Sequence, residues 1–291
     1  MGIGQVISDT FGVVKERFGT LLGLWAVYFG IIIVMFVVFG IGLGAVGLAG
    51  MAAMGGGDAM GEGGILAMGA GMIVFLVLFY LAYILVAMAQ YASLISVASP
   101  LRQANFSDAL SAGWRAAPAL LMLMIVLIVG YVAAAMVFSL VAAAFSALGD
   151  TAGLVLSLLL VPVLAWLGCR LAPLFAVVAV DGVRNPFTAI GRSWHLTRGH
   201  ALMIFLASLV FFIILLIVCG LLMLPSIGLL TSMADPAAMA EVAPAFGSIA
   251  LLFLSILVVS ALFAILYSAF MAVIHGSLST ASGEGVVEAF A

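Results

Sequence analysis

The chain has 291 residues, of which 67% are hydrophobic and 7% charged, with a mean hydropathy of +1.47 and a net charge of −3. That leaves too little polar surface to coat a soluble globule of this size, so most of the mass is expected in lipid. Only two cysteines occur, Cys169 and Cys219, both inside apolar stretches, which argues against a disulfide framework or a thiolate metal cluster. The basic residues are single and spaced, which argues against a nucleic-acid surface.

From the N-terminus, Ile3, Ile7, Phe11, Val14 and Phe18 recur at three- and four-residue intervals opposite Gln5, Ser8, Asp9, Lys15 and Glu16, the pattern of an amphipathic helix. The first apolar run, Leu21–Leu48, is far longer than the roughly 7–15 residues of a signal-peptide core and is read as a retained span. Further runs follow at Ile65–Val97, Ala116–Ala144, Gly153–Val180, Ala201–Leu224 and Phe246–Ile274. Each exceeds the roughly 20 residues that cross a ~30 Å hydrocarbon core, so six spans are expected. Glycines crowd residues 40–71. Gly40 and Gly44 are read as close helix-packing positions and Gly55-Gly56-Gly57 as part of a flexible external turn. A phosphate-binding loop would need a Walker lysine and a preceding strand, and this stretch has neither.

Charge sets the expected orientation. Lys15, Arg17, Arg102, Arg115, Arg184, Arg192 and Arg198 precede spans one, three and five, whereas connections 49–64, 145–152 and 225–245 carry only Asp58, Glu62, Asp150, Asp235 and Glu241. By the positive-inside rule both termini are cytoplasmic, in a bacterial inner membrane.

The stretches before the odd-numbered spans resemble one another. Asn105, Ala109 and Trp114 repeat as Asn185, Ala189 and Trp194 at a constant offset of 80, with Leu110 matching Ile190, and the same offset carries Gln90 onto Arg170. Ser8-Asp9 matches Ser107-Asp108, and Phe11 matches Leu110. The expected fold is therefore an all-α integral membrane protein. Its six transmembrane helices form three parallel-repeat hairpins, each preceded by a cytoplasmic-side interfacial amphipathic helix. The chain is read as one membrane domain, 1–291, with units at about 2–98, 103–181 and 185–275 and a cytoplasmic tail at 276–291. Asn185-Pro186 reads as a helix start, with Asn capping free amides and Pro losing no hydrogen bond at the first position. Trp114 and Trp194 are the expected interfacial anchors, at headgroup depth.

Arg170 is the one basic residue within an apolar run, beside Trp166, Cys169, Pro162 and Pro173. Snorkelling to lipid phosphates at the inner boundary is the favoured reading. The alternative places Gln90, Arg170 and Tyr267 at equivalent depths in a polar belt around a central, inward-opening cavity. Arg184, Arg192 and Arg198 are read equally as contacts to anionic lipid or as plain determinants of topology. His195 and His200 flank Arg198 but lack a third ligand nearby, so a solvated helix end is favoured over a metal site. The acidic pairs Asp58/Glu62 and Asp235/Glu241 lack an accompanying base or metal ligand, and no cofactor is implied.

The run Ala189-Ile190-Gly191-Arg192-Ser193-Trp194-His195-Leu196-Thr197-Arg198-Gly199, preceded by Asn185-Pro186, resembles the "AL-x-x-SW-x-LT-x-G" signature of a bacterial membrane-protein group. That group comprises the membrane domain of glycerophosphoryl diester phosphodiesterases and the related YciC-like proteins. The resemblance implies a six-span membrane part without the soluble catalytic barrel of the fused enzymes, so no phosphodiesterase activity is expected. The function expected is non-enzymatic: an accessory or scaffolding role in membrane or envelope homeostasis, through membrane lipids, including anionic phospholipid, a membrane-protein partner or a second copy. The alternative is a transporter, channel or lipid-translocating protein built around Gln90 and Arg170.

Overall fold

Long apolar runs with few interior prolines leave the backbone no way to satisfy its polar groups except within helices, and helices are what forms. The computed structural model describes residues 2–55, 62–102, 104–146, 149–227 and 246–281, and among these there is no strand. The elements are α1 (Ile3–Gly55), α2 (Glu62–Ala98), α3 (Phe106–Ser146), α4 (Asp150–Leu171), α5 (Leu174–Val180), α6 (Pro186–Leu196), α7 (Ala201–Met223), a 3₁₀ turn (Leu224–Ser226) and α8 (Phe246–Ala281). Six helical stretches are long and apolar enough to cross a membrane: Ile3–Ala45, Gly71–Ala98, Phe106–Phe145, Leu158–Val180, Ala201–Ser226 and Ile249–Thr280.

Four features differ from the expectation. The three amphipathic stretches are set off from their spans to different degrees. The first is a helix of its own, kinked away from its span within α1 at the non-helical residue Arg17 (φ −111°, ψ 16°), and the second runs straight into its span in α3. The third, α6, is fully separate. The fourth apolar run breaks between Leu171 and Leu174, where Pro173 has no amide to continue the ladder, and α5 begins beyond it. Helix α8 continues to Ala281, with Leu278 buried, so residues 276–281 belong to the bundle and not to a tail. Finally, among the described glycines of this segment the close approach is at Gly42, where a Cβ would lie 2.6 Å from the Phe75 ring. Gly40 and Gly44 face open space. The expected turn at Gly56-Gly57 and the acids Asp58, Asp235, Glu241, Glu284 and Glu288 lie outside the described residues.

Consecutive long helices are neighbours, and the last returns to the first: α1 packs on α2, α2 on α3, α3 on α4, α4 on α7, α7 on α8, and α8 on α1. The core sits at the end that carries the arginines. There Leu21, Leu24 and Tyr28 of α1, Val86–Ala98 of α2, Leu120 and Leu123 of α3, and Ile265–Ile274 of α8 supply many of the buried side chains. Helix α5, with Leu174, Ala176, Val177, Val178 and Ala179 buried, fills the space between α2, α3 and α8. Towards the opposite end, the apolar residues Val34, Ile41, Ile73, Tyr131, Leu140 and Leu158 are exposed. Contact there runs through aromatic rings, as where Phe39 stacks on Phe79 at 4.0 Å, and through the Ser226–Ser255 hydroxyl pair at 3.0 Å.

Candidate functional site around α6

Helix α6 begins where Asn185 and Pro186 put it. The Asn185 side-chain oxygen accepts from the amides of Phe187 (3.0 Å) and Thr188 (3.5 Å), and Pro186 opens the helix. Beyond its end the chain turns through Gly199, whose φ of 81° suits a residue without a Cβ. Pro186, Ala189, Ser193 and Leu196 form the face buried against the protein. The larger apolar residues lie one position round: Phe187 is 71% exposed and Trp194 38%.

This face grips the end of α4. The α4 helix stops just before Pro173, which leaves carbonyls without a helical donor. Ser193 Oγ donates to the Arg170 carbonyl at 2.8 Å and caps α4 from outside, while Thr197 Oγ1, which donates to the Ser193 carbonyl at 2.9 Å, lies 3.5 Å from the same oxygen. Trp194 completes the contact. The guanidinium carbon of Arg170 lies 5.2 Å from the ring centroids of both Trp166 and Trp194, which meet edge to face at 5.1 Å and 87°. Arg170 Nη1 donates to the Trp194 carbonyl at 3.3 Å, while its buried Nε has no partner among the described residues.

On the other side of α6, Arg192 Nε donates to Asp181 Oδ2 at 2.7 Å, and the same oxygen lies 3.2 Å from His275 Nε2 of α8. The His275 side chain is 0% exposed. Its Nδ1 is buried without a partner among the described residues. Burial pushes the Asp181 carboxyl up, but the hydrogen bond and charge of His275, with those of Arg192, outweigh it and hold the group below the ordinary carboxylate range. The adjacent elements α5 and α6 are thereby joined to the distant α8 at one carboxylate.

The other expected residues are dispersed. Gln90 is half-buried on α2, and among the described residues no hydrogen bond joins it to Arg170 or Tyr267. Its neighbour Tyr91 meets Tyr267 edge-on at 6.2 Å, and Tyr267 stacks on Phe263 at 5.7 Å. Arg184 and Arg198 are exposed, whereas Arg192 is engaged by Asp181. Trp114, 37% exposed, lies 6.0 Å from Tyr28, whose hydroxyl pairs with Ser93 at 2.9 Å. Asp181, His275, Ser193 and Thr197 are the site residues that sequence reasoning missed. For Ser193 and Thr197 the four-residue spacing was available as a signal; for Asp181 and His275 there was none. Among the described residues, no three histidine, cysteine or acidic side chains come together to hold a metal.

Neither curated proteins nor solved structures give a match. A family model described as a domain of unknown function (DUF7847) matches residues 115–278, more than half of the chain and all of the α4–α6 clamp. The chain belongs to that family.

Proposed function

We propose that this is a non-enzymatic, multi-pass protein of a bacterial inner membrane, with both termini cytoplasmic, serving an accessory or scaffolding role through contacts with membrane lipids or a membrane-protein partner. The observation that carries this reading is the filled centre at the arginine-bearing end. There α5 packs between α2, α3 and α8 with five buried apolar side chains, which supports a closed centre, while large apolar side chains on α6 and the long helices face outward.

The proposed architecture is three parallel hairpin units, each led by an amphipathic segment on the cytoplasmic side. Two correspondences at the offset of 80 support it. Gly113 packs so closely on α2 that a Cβ would lie 2.4 Å from the Ala89 carbonyl, and its counterpart Ser193 sits on the Arg170 carbonyl. Trp114 and Trp194 flank these positions at nearly equal exposure. The resemblance of residues 185–199 to the phosphodiesterase membrane-domain and YciC-like group fits the same reading.

The test is reconstitution. In dye-loaded vesicles, the purified protein should add neither solute leakage nor lipid scrambling, and purification in mild detergent should retain a stoichiometric partner or lipid identified by mass spectrometry. Protein-dependent flux would replace the accessory role with the transporter alternative.

A further inference from the structure

The geometry points to a built site for one anionic glycerophospholipid at the α4–α7 cleft, its phosphate on Arg170 and an acyl chain in the slot beside it. The inference rests on the lipid-contacting role and gives that role a place and a ligand class.

The cleft has a volume of about 270 Å³ and is lined by Pro162, Ala165, Trp166, Cys169, Leu202 and Phe205. None of these carries a charge. An apolar slot open to the outer face of two spans is complementary to an alkyl chain and to little else that a membrane contains in quantity. Its wall continues directly into a cation, because Trp166 lines the slot and also supplies one of the two rings against Arg170.

Arg170 is prepared for an anion. The two perpendicular indoles hold the guanidinium without neutralising it, since their π-faces favour a positive charge. Of its five N–H donors one is used, on the Trp194 carbonyl, and no carboxylate pairs with it among the described residues. A phosphate accepts two parallel hydrogen bonds from a guanidinium. The same mouth receives the start of α7, a helix of 23 residues with no side-chain cap, whose positive end adds to the preference for negative charge. Arg198, three residues before α7, is exposed. Headgroup and chain sites are thus contiguous, which distinguishes a phospholipid from a free anion or a free hydrocarbon.

The experiment is native mass spectrometry and thermal unfolding of the full chain in detergent, titrated separately with phosphatidylglycerol, phosphatidylethanolamine and inorganic phosphate. Phosphatidylglycerol should bind at one copy and raise the unfolding temperature, with phosphatidylethanolamine weaker and inorganic phosphate without effect. Arg170→Gln should weaken phosphatidylglycerol binding about fivefold, the worth of one basic charge near a headgroup. Ala165→Phe should abolish the tight copy by filling the slot while leaving Arg170 untouched, so loss of binding does not depend on one variant's folding.

Equal stabilisation by inorganic phosphate would overturn the lipid assignment. So would undiminished phosphatidylglycerol binding in an Ala165→Phe protein that is monodisperse and unfolds normally. Either result leaves the accessory role standing, because that role fails only on flux.

Discussion

Asp181 and His275 stand 94 positions apart in the chain, yet Oδ2 of one lies 3.2 Å from Nε2 of the other, with Arg192 on the same oxygen. The carboxylate closes α8 onto the α5–α6 junction. Replacing Asp181 with Asn removes the charge that holds both partners, and Asp181→Asn should lower stability by roughly 1–3 kcal/mol, read as a fall in unfolding temperature in detergent.

The pH dependence follows from the lowered carboxyl. A group that titrates below its ordinary value contributes stability in full above about pH 3.9, the unfolded value, and loses it as pH falls through the folded one. Unfolding temperatures measured from pH 6 to pH 3 should drop at the acid end in the wild type. Asp181→Asn should flatten that drop, and an unchanged slope would show that another acid governs it.

Gly113 admits no side chain. A Cβ there would lie 1.9 Å from Ser93 Oγ and 2.4 Å from the Ala89 carbonyl, so α3 would have to lift from α2. Gly113→Ala should destabilise by about 1–3 kcal/mol. Gly130, in the same helix, faces open space, and Gly130→Ala should be neutral or stabilising by up to about 1 kcal/mol. Similar unfolding temperatures for the two variants would refute the close α2–α3 contact.

Ser193→Ala leaves the Arg170 carbonyl with only the longer Thr197 contact and should cost about 1 kcal/mol. Hydrogen exchange would report the loss locally, as faster exchange at the end of α4 and in α6, with α1 unaffected.

Orientation is testable by thiol labelling of single-cysteine variants in a background lacking Cys169 and Cys219. Thiols at positions 58, 150 and 235 should react from outside the cell, and one at position 188 only after the inner face is opened. External labelling at 188 would reverse the topology.

The spans were legible because an apolar run of that length has one low-energy backbone solution, and α6 was legible because Asn185-Pro186 is a start signal on its own. The faces were less so. Phe187, Ile190 and Trp194 recur at helical spacing as an apolar stripe, yet the buried row is Pro186, Ala189, Ser193 and Leu196, whose smaller members let the backbone of α6 come close to α4. Gly42, and not Gly40 or Gly44, meets a ring, since register along a glycine-rich helix depends on a partner the local sequence does not specify. The break before α5 had its signal in Pro173 but lay hidden in an unbroken apolar run. The Asp181–His275 contact had no signal, because nothing local records a pairing made by tertiary packing.

The unequal packing along the helices gives the molecule two mechanical regimes. At the arginine-bearing end, interior side chains and the α6 clamp fix the helices to one another. At the far end their outward apolar surfaces meet mainly the surrounding solvent of the fold. A change in bilayer thickness would therefore be absorbed by tilting of the far halves, while the tethered end kept its shape.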